Sequence, residues 1–207
     1  MGGRHSAVPD SLRKGDVVLL INHASASAAL PIVAVLWLVL AVCPASIIAG
    51  ESANEYTIKA AVLYKFASFV VWPESNPSAP LVIGVIGEDP FGPALDQIVM
   101  DKNVNGRKFE IHRFRAGQDP DQVQILFIGE TDRRRLRALL GRLRGAAVLT
   151  VADMPGFCEN GGMIRLGLEN NHVSLEINPD AAESAGLQFS SKLLSLARIV
   201  RPPRSVE

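Results

Sequence analysis

Leu81-Val82-Ile83-Gly84-Val85-Ile86-Gly87 is an unbroken apolar run, and its reading decides the fold. A half-buried strand alternates apolar and polar residues. A short run without alternation marks a strand covered on both faces, as in parallel sheets. Val123 to Gly129 and Ala147 to Val151 read the same way. Between these two, Thr131 is the expected cap of a helix whose stripe is Leu136, Leu139, Leu140 and Leu143, and Gly145 ends it.

Outward from that core the punctuation is regular. Ser52-Ala53-Asn54-Glu55 has capping-box spacing and predicts a helix start, with Val62, Phe66, Phe69 and Val70 on one face. Trp72-Pro73 should end it, because proline disfavours a helical residue before it. Glu88 to Gly92 is a turn, and Pro93 to Met100 is a short helix. Val104-Asn105-Gly106-Arg107 opens a strand over Lys108 to Phe114, with Phe109, Ile111 and Arg113 on one face. After Gly161-Gly162 the period becomes two, through Ile164, Leu166 and Leu168 and then Val173, Leu175 and Ile177, with a hairpin turn expected at Asn170-Asn171. Asn178-Pro179 should cap and open a helix that Gly186 interrupts. Its apolar face continues through Leu193, Leu194, Ala197 and Val200 as a long helical segment until Pro202-Pro203. The fold class that follows is α/β, a mixed and mostly parallel sheet with helices on both faces (a Rossmann-like sandwich), plus a C-terminal β-hairpin.

The first fifty residues have a different character. Leu30 to Val42 is apolar except for Pro31, and is shorter than the ~20 residues of a membrane span. Arg13 and Lys14 precede it and Pro44-Ala45-Ser46-Ile47-Ile48-Ala49-Gly50 follows, the layout of a secretory signal peptide. Residues 1–49 are read as that signal and 50–207 as the domain, with cleavage after Ala49 or after Ala53; an N-terminal membrane anchor is the competing reading. Leu40-Ala41-Val42-Cys43 outlines a lipobox, but Val before the cysteine fits that signal poorly.

Cleavage after Ala49 leaves Cys158 as the sole thiol, so no internal disulfide forms and the core must hold the fold. Cys158 is expected to be buried or half-buried. The chain carries 21 basic and 21 acidic residues; losing Arg4, Arg13, Lys14, Asp10 and Asp16 leaves 18 and 19. A net charge near −1 gives no general attraction to nucleic acid. The remaining chain of about 155 residues suits one domain.

Catalytic machinery is hard to find. Glu88 and Asp89 follow the first strand, where open α/β sheets place ligands, and two acids there resemble a receiver domain. That reading fails, because Gly129-Glu130 stands at the position of the phosphorylatable Asp and no Lys follows Val151. G-x-G-x-x-G, G-x-x-x-x-G-K-[ST] and G-x-S-x-G are all absent. His112, His172 and Cys158 lack metal-ligand spacing. No catalytic residue, metal or cofactor is therefore expected. Arg133, Arg134, Arg135, Arg137, Arg142 and Arg144 surround the leucine stripe and read as a solvated face, with docking to an acidic protein surface as the alternative.

Tyr64-Lys65-Phe66-Ala67-Ser68-Phe69-Val70-Val71-Trp72-Pro73 resembles the opening of YfiR/HmsC-like periplasmic proteins. Gly87-Glu88-Asp89-Pro90-Phe91-Gly92 is similar to their turn. Ile125 to Ile128, Leu149 to Asp153, Gly161 to Ile164, Glu176-Ile177-Asn178 and Ser190 to Leu194 continue the resemblance in order, over about residues 54 to 200. The resemblance implies a periplasmic protein that binds the periplasmic sensor region of a membrane-anchored diguanylate cyclase and holds cyclic-di-GMP synthesis down. An outer-membrane lipoprotein would relieve it, and a homodimer is a further partner to be considered. Gly84 and Val123 stand where relatives are expected to carry pairing cysteines, and Ser174 where they often have Arg. Candidate ligand- or partner-binding residues are Glu88, Asp89, Phe91, Arg165, Ser190, Ser191 and Lys192. The competing functions are a small-ligand sensor using the strand-end crevice and, behind it, an unrecognised hydrolase.

Overall fold

The apolar run forms β2 (Leu81–Ile86), whose six residues are all buried at the middle of an eight-stranded sheet. The structure, a computed structural model, describes residues 46–73, 76, 78–169 and 172–202. The chain divides into two compact units, 1–47 and 48–207, and nearly all described elements belong to the second. The expected signal segment lies outside the described residues up to position 45, as do Asn170-Asn171 and Pro203.

In chain order the elements are α1 (Ser46–Lys65), a 3-10 turn (Phe66–Ser68), β1 (Val70–Val71), β2, α2 (Pro93–Val99), β3 (Asn103–Val104) and β4 (Arg107–Phe114). Then come β5 (Ile125–Ile128), α3 (Arg133–Arg142), β6 (Leu149–Ala152), β7 (Ile164–Glu169) and β8 (His172–Ile177). The chain closes through α4 (Pro179–Ser184), β9 (Gln188–Phe189), α5 (Ser191–Ser195) and β10 (Arg198–Ile199). The sheet order is β10-β8-β7-β6-β5-β2-β4-β3. β4, β2, β5, β6 and β7 run parallel; β3 and β8 pair antiparallel to β4 and β7, and β10 runs parallel to β8. The mixed, mostly parallel α/β sheet and its hairpin are as the sequence predicts.

Alternate residues of the central strands feed two cores. Leu81, Ile83, Val85, Ile125, Phe127, Leu149 and Val151 pack with Ala60, Leu63 and Phe66 of the N-terminal segment, Leu95 and Val99 of α2, Ala182 of α4 and Leu193 of α5. Val82, Ile86, Leu126 and Ile128 point the other way, onto Leu136 and Leu139 of α3 and onto Phe157. Helices thus cover both faces, which is why the central strands β2 and β5 carry no polar alternation, whereas β4, nearer the sheet edge, does.

Several local expectations are corrected. α1 begins at Ser46 rather than at the capping box. Glu55 lies within this helix and pairs forward with Lys59 at 2.5 Å. The helix ends at Lys65, tightens into the 3-10 turn, and becomes β1 before Trp72 because Val70 and Val71 pair with Phe189 and Gln188 of β9. Asn105-Gly106 opens no strand but makes the β3–β4 hairpin, with positive φ at both residues (52° and 81°), the geometry of a type I′ turn. Asp132, not Thr131, caps α3, its Oδ1 accepting from the amides of Arg134 and Arg135 at 2.9 Å each. The long C-terminal helix is absent: after Gly186 (φ 73°) the chain makes β9, five residues of α5 and then β10. Pairing with β1 and β8 outcompetes helical periodicity there. Asn178 does cap α4, its Oδ1 accepting from the Ala181 amide at 3.1 Å.

Candidate functional site at the strand ends

β2 lies between β4 and β5, so the chain leaves it toward one side and later resumes on the other. That reversal is a topological switch point, where open α/β sheets form a crevice beyond the carboxyl ends of their strands. Gly87-Glu88 and Gly129-Glu130 occupy those ends. The Gly129 amide donates to the Ile86 carbonyl at 2.9 Å, and a side chain at Gly129 would run into the Glu88 carbonyl. Glycine therefore permits the close approach that sets Glu88 beside Glu130.

The two residues straddle the sheet edge and line a cavity on each face. On the α3 side a cavity of about 610 Å³ is floored by Ile86, Ile128 and Leu139. On the α1 side a cavity of about 520 Å³ is lined by Tyr56, Phe127, Asp153 and Pro90 together with both glutamates.

The turn beyond β2 is built from the inside. Asp89 Oδ1 accepts from the amides of Phe91 (2.9 Å) and Gly92 (3.2 Å), which closes the turn. Arg113 of β4 donates through Nε to Asp89 Oδ2 at 2.7 Å and holds Asp96 of α2 at 2.5 Å. Hydrogen bonding to Asp96 and then Asp89 raises the Arg113 pKa, and the same bond to Arg113 lowers that of Asp96. Phe91 is 4% exposed, with its ring edge-on to Phe127 (4.6 Å) and Tyr56 (5.8 Å). Asp89 and Phe91 thus support the turn, while Glu88 faces the crevice.

α1 closes the opposite wall through residues the sequence reading did not single out. Tyr56 donates its hydroxyl to Asp153 Oδ2 at 2.9 Å, and Lys59 donates to the same oxygen at 2.9 Å. The Lys59 side chain is only 4% exposed and also lies 4.6 Å over the Tyr56 ring. Burial, followed by the bond to Asp153, raises the Tyr56 pKa, so the phenol stays protonated. Two signals were available: Glu55 and Lys59 have i,i+4 spacing, and Asp153 directly follows a buried strand.

The remaining candidates lie elsewhere. Arg165 of β7 pairs with Glu176 of β8 at 3.0 Å, and Arg198 of β10 takes the same Oε1 at 2.5 Å. Ser190 caps α5, its Oγ accepting from the Leu193 amide, while its own amide donates to the Phe69 carbonyl at 2.8 Å. Ser191 is exposed and Lys192 sits 6.0 Å over the Phe69 ring, so this motif docks α5 onto the end of the N-terminal helical segment. No hydrogen bond or ion pair among the described residues joins Arg165 or Ser190-Ser191-Lys192 to Glu88.

Cys158 is fully buried with Sγ 3.4 Å from the Glu176 carbonyl, and burial pushes its thiol up to about 12. Gly84 and Val123 meet: a Cβ at Gly84 would lie 3.0 Å from Val123 Cγ1. The two sites where the resemblance expects paired cysteines are thus neighbours, and this chain fills the space with valine. No group of metal-ligating side chains occurs among the described residues, and no helix there is long and apolar enough to cross a membrane. A family model described as YfiR/HmsC-like matches residues 56–198, from Tyr56 of the crevice wall to the first residue of β10. No curated protein matches the chain.

Proposed function

Because the chain belongs to the YfiR/HmsC-like family of periplasmic, non-enzymatic regulators of diguanylate cyclases, we propose that it represses one membrane-anchored cyclase by binding its periplasmic sensor region. Residues 1–49 serve as the export signal in this reading, and 50–207 are the acting domain. The observation that carries it is the extent of the family match, which spans the sheet from α1 to β10.

Repression by contact requires tighter binding to the inactive cyclase than to the active one, since equal affinity for both states shifts nothing. Lower cyclic-di-GMP and less biofilm follow from that bias. An outer-membrane lipoprotein that competes for the same surface would relieve it, and a homodimer would present the surface twice. A redox version of the switch at Gly84 and Val123 has no chemistry in this chain, as neither residue is a cysteine.

Deleting the gene should raise cyclic-di-GMP and adhesion, and removing the partner cyclase as well should return both to the starting level. Persistence of the raised signal in the double deletion rejects the reading.

A further inference from the structure

The crevice on the α3 side is rimmed by exposed charged residues that take no part in holding the fold together. Glu88 at the end of β2, Glu130 at the end of β5 and Arg115 after β4 all line this cavity. Among the described residues, none of these three side chains forms a hydrogen bond or ion pair, whereas Arg113, Asp89, Lys59 and Asp153 nearby are all engaged. α3 adds Arg135 and Arg142 at positions i and i+7 of its cavity-facing stripe, with Ala138 and Leu139 between them. Those two arginines also lean outward on Asp132 (3.3 Å) and Asp119 (3.0 Å).

We propose that this cavity binds a small amphoteric solute of the amino-acid or short-peptide class, with a carboxylate and an ammonium on an apolar body. The volume of about 610 Å³ lies within the roughly 300–1,000 Å³ usual for small-molecule sites. Ile86, Ile128 and Leu139 supply the apolar floor. The charges choose the class. A polyanion such as a nucleotide would meet two unneutralised carboxylates, and the loops contain no glycine-rich phosphate cradle. A simple cation would meet three guanidinium groups. A zwitterion satisfies both sets, its carboxylate on Arg115 with the α3 arginines and its ammonium between Glu88 and Glu130. Gly129 holds those two acidic loops together, so the ammonium site is set by backbone contact.

The test uses the purified protein and does not depend on the cyclase, so its failure is separate from failure of the repressor reading. L-Phenylalanine, L-leucine and the dipeptide Leu-Leu are titrated calorimetrically, each beside its N-acetylated and its C-amidated form. At least one free zwitterion should bind at about 1 mM or tighter, and blocking either charge should weaken it about tenfold or more. Arg115→Ala and Glu88→Gln should each weaken binding by a similar factor, while Arg133→Ala, outside the cavity, should leave it unchanged. The variants' unfolding temperatures check that they remain folded. No binding by any of the three free probes up to about 10 mM, or blocked forms binding as well as free ones, overturns the proposal. Parent-like affinity in folded Arg115→Ala and Glu88→Gln proteins does so as well.

Discussion

Two ends of one sheet treat charge in opposite ways. At the β7–β8–β10 end, Glu176 is buried and held by Arg165 and Arg198, so one carboxylate joins three strands. At the switch point, Glu88, Glu130 and Arg115 stand around a cavity with no protein partner among the described residues. The first arrangement is what a fold needs, since a buried charge left unpaired is expensive. In the second all three residues are exposed, so water hydrates their charges at no cost to the fold and their hydrogen-bonding capacity stays open to a solute. The crevice contains its own control, because Lys59 and Asp153 on the opposite wall are matched as completely as Glu176.

The contrast predicts a ranking of stability effects. Lys59→Ala strands Asp153 and Glu55 without their buried cation and should cost about 2–4 kcal/mol in urea unfolding. A loss below about 0.5 kcal/mol would mean that the α1 wall is not held by this network. Glu176→Gln keeps the shape but removes the charge shared by two guanidinium groups, one of them only 16% exposed. It should cost about 1–3 kcal/mol, and an unchanged midpoint would remove the distinction between the two ends. Glu88→Gln and Glu130→Gln should be the mildest, each within about 0.5 kcal/mol of the parent. A large loss from either would show that the crevice acids serve the fold.

Much of this architecture could be read in advance, for a local reason. Leu81–Ile86 and Ile125–Ile128 are apolar throughout and Leu149–Ala152 is broken only by Thr150, whose hydroxyl accepts from the Met163 amide, and only a sheet covered on both sides buries every residue of such runs. Asn178-Pro179 and the stripe on α3 were equally legible, since caps and periodicity act within a few residues. The C-terminal segment was not. Leu193, Leu194, Ala197 and Val200 have helical spacing, yet Arg198 and Ile199 pair with Glu176 and Ile177 some twenty residues earlier. Nothing within the segment announces that partner. The candidate site was half visible: Glu88 was found by its place after a strand, but Glu130 and Arg115 gain meaning only when β5 and β4 are set on either side of β2.

Composition and patterning alone determined an α/β chain with three doubly covered strands and a buried thiol, because these follow from which side chains shun water and from residues close in sequence. The ordered motifs supplied the family. Tertiary structure decided the strand order, the buried Lys59–Asp153 pair and the separation of spent charges from unspent ones. Each of these joins residues distant along the chain, and only the packed sheet fixes which ones meet.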